Sequence, residues 1–258
     1  MADTTHGGTK EEVVTQSLLR YVDLPDKAGT AALITLDNGR DHTRPSTFGP
    51  GGLASLNAAL DEIDARDDLA AVAVTGKPFI FAVGADLNTL VTDPTYDAVL
   101  AVGRLGHDTF RRLGEMSVPT FAFINGAAMG GGLDLPLHCS YRTLSTGAAA
   151  VSLPECFLGL VPGWGGAWLL PHLIGPDAAV KVIIDNPLAT NRQLKPKQVL
   201  ELGMADAMFE PADFLEQSLR WAAGVVNGTV APSRPEVHRS QAAWDAAVAR
   251  GRATVEAK

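Results

Sequence analysis

Two carboxylates in apolar, glycine-framed surroundings are the residues of this chain best suited to chemistry. Asp134 follows Gly130-Gly131-Gly132-Leu133 and precedes Leu135-Pro136-Leu137, while Glu155 follows Leu153-Pro154 and precedes Cys156-Phe157-Leu158. An ionised side chain among apolar neighbours is costly unless it is paired, hydrogen-bonded or at work. Taken singly, each acid reads as a structural hydrogen-bonding group or a helix-end cap. Taken together they suit the addition of water, which needs a held water and a group that gives or accepts a proton. The glycines add a second component. At a strand-to-helix junction they leave backbone N–H groups bare beside a partly positive helix end, so a ligand oxygen can come close. The alternative reading of the triplet is a tight structural turn.

Other chemistries find no matching pattern. A phosphate-binding lysine loop would need a lysine where Leu133 stands, and the GxGxxG begun at Gly163-Trp164-Gly165 meets Trp168 at its last position. There is no GxSxG elbow and no HExxH or other zinc spacing. The six histidines are scattered, and His138 reads as a core residue or a support behind the site. Cys139 and Cys156 form no CxxC and read as reduced core thiols.

The elements that would position these residues alternate, so the class is α/β. Apolar runs predict strands over 31–36, 69–75, 79–83, 119–124, 141–146, 149–153 and 205–209. Helical spacing predicts helices over 51–66, 97–115, 133–138, 163–173, 178–184, 195–202, 211–226 and 234–256. The domain reading is a disordered lead-in over 1–12, one core domain over 13–226, and a linker with a C-terminal helix over 227–258.

Composition narrows the classes. With 46% hydrophobic and 19% charged residues, the 258-residue chain has ample material for a buried core. A net charge of −8 without a basic run argues against nucleic acid as a partner. No apolar stretch is long enough to cross a bilayer and no secretory h-region opens the chain, so a cytoplasmic protein without membrane association is expected.

Three segments in order carry a resemblance: Phe81-Ala82-Val83-Gly84-Ala85-Asp86-Leu87, the triplet with Asp134, and Pro154-Glu155 followed by Pro162-Gly163-Trp164-Gly165-Gly166. Together they resemble the enoyl-CoA hydratase/isomerase, or crotonase, superfamily over residues 30–225. The resemblance implies a spiral of ββα units with a helical C-terminal region, packed as a homo-oligomer (trimer or dimer of trimers). It implies that the amides of Ala85 and Gly131 form an oxyanion hole for a thioester carbonyl, each donor worth ~3 kcal/mol of barrier. Glu155 and Asp134 would hold the water that adds to a trans-2-enoyl-CoA, giving a 3-hydroxyacyl-CoA, with Glu155 helping to deliver a proton to Cα. Substrate contacts would come from Ala82, Gly84, Asp86, Leu87, Gly130, Pro154, Gly163 and Trp164, with Phe157 beside Trp164 along the acyl group unless both are plain core. No metal or other cofactor is implied, coenzyme A being part of the substrate.

The sequence also departs from the family pattern. Asp134 stands where hydratases of the family carry glutamate, shortening the reach by roughly 1.5 Å; a misplacement near that size costs about 10²-fold in rate unless the backbone compensates. Dienoyl-CoA isomerases of the family carry an aspartate where this chain has Gly163. Alternatives are therefore another enoyl-CoA isomerase, a thioester hydrolase, or a non-catalytic acyl-CoA-binding subunit. Asn186-Pro187-Leu188 and Leu194-Lys195-Pro196-Lys197 are similar to multifunctional fatty-acid oxidation proteins, which implies a dehydrogenase partner or fusion, although no dehydrogenase fingerprint lies in the chain.

Overall fold

The computed structural model describes residues 12–87 and 95–258. The expected lead-in falls, for residues 1–11, outside them. Glu12 is placed, its carboxylate accepting the amides of Gly51 (2.9 Å) and Gly52 (3.0 Å). That contact caps the otherwise unpaired N–H groups opening α1 (Pro50–Asp64).

The long strands form a six-stranded sheet in the order β1 (Gln16–Asp23), β2 (Thr30–Asp37), β3 (Leu69–Gly76), β5 (Thr120–Ile124), β7 (Tyr141–Ser145), β9 (Ala207–Phe209). All pairings are parallel except β1 with β2. Its apolar residues divide by face. Ile34, Val72, Val74, Ala122 and Ile124 join the larger core cluster. Leu33, Ala71, Ala73, Phe121 and Phe123 join a second one with Phe214, Ala222 and Ala223 of α7 (Phe214–Val226). Burial on both faces is why these strands read as continuous apolar runs rather than alternating ones.

Three short strands, β4 (Ile80–Val83), β6 (Ala127–Met129) and β8 (Val151–Ser152), pair in parallel as a second sheet in the order β4-β6-β8. The chain thus visits the large sheet, then the small one, then a helix. β3-β4 precede α2 (Tyr96–Glu115), β5-β6 precede α3 (Gly131–His138), and β7-β8 precede α4 (Gly166–Ile174). This is the ββα spiral anticipated from the motifs. Successive turns are riveted at their corners: the Asn125 side chain accepts from Gly76 N–H (2.9 Å) and donates to the carbonyls of Gly76 (3.1 Å) and Lys77 (2.7 Å).

The elements differ from the sequence expectation in several places. β1 is an unforeseen edge strand whose residues alternate between exposed and half-buried, so it carries no strong apolar run. β6 is also unforeseen, since only Ala-Ala-Met separates two glycine segments. The helix expected over 163–173 begins at Gly166 because Gly163–Gly165 form a turn. The helix expected over 178–184 is α5 (Pro176–Val180), prolonged by a π-helical turn Lys181–Asp185 and a final turn Asn186–Leu188. α6 (Pro196–Glu201) follows. The last helix, α8 (Gln241–Glu256), starts later than residue 234, capped by Ser240, whose hydroxyl accepts from Ala243 N–H. No described helix is long and apolar enough to cross a membrane.

Candidate active site

β4, β6 and β8 run side by side in parallel, so their C-terminal ends open at one edge, where parallel sheets commonly bind ligands. Gly84-Ala85 follow β4, Gly130-Gly131 follow β6, and Leu153-Pro154-Glu155 follow β8. The motif residues therefore meet because three consecutive turns of the spiral end in register.

The two backbone amides are oriented by their neighbours. Phe48 donates to Gly84 C=O (2.9 Å) and accepts from Asp86 N–H (2.9 Å), a parallel bridge that turns the N–H of Ala85 away from Phe48. Gly130, at φ 54°, bends the chain out of β6 after donating to Ser152 C=O (2.9 Å). Gly131 is the first helical residue of α3, so its N–H has no partner within the helix. Ala85 and Gly131 both face one cavity of about 430 Å³.

The carboxylates line that same cavity. Asp134 lies one turn into α3, is buried, and accepts Trp164 N–H at Oδ2 (3.1 Å). The Gly166 amide adds a weaker pull without reaching hydrogen-bond geometry, and Oδ1 has no hydrogen-bond partner among the described residues. Burial, reinforced by the charge of Glu155, raises the Asp134 pKa well above the usual carboxylate range. The turn Glu155–Leu158 presents Glu155, whose Oε1 packs against the bare Cα of Gly130 and whose Oε2 is also unpartnered. Burial pushes its pKa to about 7. Two neighbouring acids with unfilled hydrogen-bonding capacity and a reluctance to ionise together can hold a water and pass a proton.

Gly84, Leu87, Gly130, Pro154, Gly163 and Trp164 also line the cavity, as the motifs implied. Three expected contacts do not. Ala82 is fully buried within the small sheet, its carbonyl against Gly132. Asp86 is buried outside the cavity wall, its amide spent on Phe48. Phe157 is 57% exposed on the outside of its turn, since a one-turn helix directs successive side chains differently. Sequence reasoning missed the opposite wall, Val99, Val102 and Gly103 of α2 with Leu158, Leu160 and Val161. Helical spacing cannot separate a cavity-facing apolar residue from core. His138 supports the site from behind, with Nε2 2.8 Å from Trp164 C=O. No cluster of three metal-binding side chains occurs among the described residues.

The family model for enoyl-CoA hydratase/isomerase matches residues 27–251. The chain belongs to the enoyl-CoA hydratase/isomerase family. It is 34% identical over 186 residues to the fatty acid oxidation complex subunit alpha of Idiomarina loihiensis, covering 70% of this chain and 24% of that one. With the corresponding subunit of Pseudomonas aeruginosa it shares 38% over 178 residues, covering 68% and 24%. The chain thus spans about a quarter of the length of these curated relatives. Among solved structures, Pseudomonas aeruginosa DspI superposes with a TM-score of 0.69 at 29% identity, over 85% of this chain and 83% of that one. An enoyl-CoA hydratase from Bacillus anthracis gives 0.69 at 21% identity over 94% and 92%, a likeness of fold. The α/β spiral is thus the fold of the enoyl-CoA hydratase/isomerase family.

Proposed function

We propose that this protein hydrates trans-2-enoyl-CoA to 3-hydroxyacyl-CoA at the cavity lined by Asp134 and Glu155. The observation that carries this reading is the pair of unpartnered carboxylate oxygens, Asp134 Oδ1 and Glu155 Oε2, on two acids that line one cavity beside the Ala85 and Gly131 amides. In the proposed reaction the thioester carbonyl oxygen accepts from those two amides. Ionised Glu155 takes a proton from water as the water oxygen bonds to Cβ. The double-bond pair moves to Cα and the carbonyl oxygen, giving an enolate that the amides stabilise. Glu155 then returns the proton to Cα as the carbonyl re-forms. Asp134, whose carboxyl is pushed well above the usual carboxylate range by burial and by the charge of Glu155, helps to hold the water at its unpartnered Oδ1. These steps call for no resident cofactor; coenzyme A arrives and leaves with the acyl group.

A second reading, double-bond isomerisation, is supported by one feature: Asp134 stands where hydratases of the family carry glutamate, and a single base, Glu155, suffices to carry a proton between two carbons. Turnover of short, medium and long trans-2-enoyl-CoA thioesters by the native protein and Glu155→Gln tests the proposal. Hydration that falls by about 10²–10⁴-fold in the variant is expected. Turnover of 3-enoyl thioesters alone would give the isomerase reading, and tight thioester binding without turnover would give a non-catalytic subunit. The family resemblance supports a homo-oligomer, trimer or dimer of trimers, in the cytoplasm. The names of the fatty acid oxidation complex relatives support a dehydrogenase partner or fusion acting on the 3-hydroxyacyl product.

A further inference from the structure

The cavity has an open side and a closed side. Val99, Leu158, Leu160 and Val161 stand at the open side with 51%, 51%, 48% and 73% exposure, whereas Trp164 at the closed side is 6% exposed. The indole of Trp164 is gripped by two glycines. A Cβ on Gly131 would lie 2.3 Å from its Cε3, and a Cβ on Gly106 of α2 would lie 2.2 Å from its Cε2. Its Nε1 donates to Val102 C=O (3.2 Å), and Phe110 and Phe48 stand edge-on to it at 5.5 and 6.5 Å between centroids. The ring therefore spans the gap between the start of α3 and the middle of α2, with aromatic core beyond it. Two edges in glycine notches and one hydrogen bond leave it no rotamer into which to swing aside.

Resting on the hydratase reading above, we propose that the Trp164 indole is the floor of the acyl site and limits the enzyme to enoyl thioesters of short acyl chain. A thioester held at Gly131 N–H places its acyl group in the apolar space bounded by Val102, Gly103 and the Trp164 ring, inward of the exposed Val99. Since the indole also abuts Gly131, the chain meets the ring within a few carbons of the carbonyl. The ring and the catalytic geometry are separable. The main chain of Trp164 is fixed by other contacts, its amide on Asp134 and its carbonyl on His138. Truncating the side chain removes the floor and leaves both backbone groups in place, and the vacated volume joins the cavity.

The test compares kcat/KM for butenoyl-, octenoyl- and dodecenoyl-CoA in the native protein, Trp164→Ala and Trp164→Leu, the leucine variant retaining packing if alanine fails to fold. Equilibrium binding of the matching saturated acyl-CoA thioesters is measured alongside, because it needs no turnover. The expected native profile falls with chain length, and in either variant the dodecenoyl-to-butenoyl ratio rises by about tenfold or more, the scale on which apolar pockets discriminate methylenes. A native profile that is flat in chain length, or variants whose profile parallels the native one, would overturn the proposal and leave the hydratase reading intact. A length-dependent binding profile that shifts in the variants, without turnover of any enoyl thioester, would keep the floor and overturn hydration. Absence of binding to every thioester would overturn both.

Discussion

Glu155 is poised by solvation rather than by a charged partner. With its pKa about 7 set by burial, it is protonated on the acid side and ionised on the alkaline side of neutrality. A base of this kind predicts that kcat/KM rises from mildly acidic to mildly alkaline pH with a midpoint near 7, and a flat profile would refute the role. The same shift makes a stability prediction. A carboxyl that moves from 4.5 to about 7 on folding holds its proton more tightly in the folded state. Stability is then fully present below the lower value and falls as pH rises to the upper one. Glu155→Gln should therefore gain up to about 3 kcal/mol relative to the native protein across that window, read as a Tm difference that grows with pH; a constant offset would contradict it. These two acids were legible from the sequence because a carboxylate in an apolar run is a local anomaly. His138 was placed only loosely, because its partner, the Trp164 carbonyl, is distant in sequence.

At the scale of elements, the site depends on how closely α3 sits on β4. Gly132 faces the carbonyl of Ala82, where a Cβ would lie 2.0 Å from the oxygen. Backbone cannot yield that distance, so Gly132→Ala must push α3 outward and carry Gly131 and Asp134 with it. The expected outcome is a loss of about 1–3 kcal/mol in urea unfolding, with hydration falling far more than acyl-CoA binding; unchanged stability would show that α3 has slack. The triplet is thus both the tight turn and the source of bare amides, the two readings that its composition left open. β6 escaped the sequence reading for a physical reason. Its three residues are held by β4 on one side and β8 on the other, and pairing of that kind leaves no mark on local composition.

At the scale of the molecule, the stretch 227–240 has no helix or strand of its own, yet it is fastened to the large sheet. Arg234 reaches Asp206 and the Ser140 carbonyl, while Asp206 also accepts Arg142 N–H (2.8 Å) and pairs with the buried Arg142 guanidinium at 3.6 Å. Desolvation lowers the Arg142 pKa to about 10 against the opposing pull of the Asp206 charge. Asp206→Ala would strand that guanidinium, and a cost of about 3–5 kcal/mol is expected by chemical denaturation; a cost under 1 kcal/mol would mean that water reaches the arginine. Beyond it, Arg250 of α8 grips Asp177 and Asp185, tying the last helix to α5 and its π-helical turn.

The sequence by itself determined the fold class and the family, and it singled out the two carboxylates and the two glycine-flanked amides that line one cavity. All of these rest on residue types at short spacing, where local chemistry and local geometry coincide. Only the tertiary structure decided which of the motif residues share the cavity, setting Ala82, Asp86 and Phe157 outside it and bringing α2 in as the far wall. It also decided that the Trp164 ring is wedged between Gly131 and Gly106 at the cavity wall. An apolar side chain is drawn out of water whether it fills a core or faces a cavity, so its sequence pattern is the same in both cases. The difference lies in what the rest of the chain leaves empty beside it.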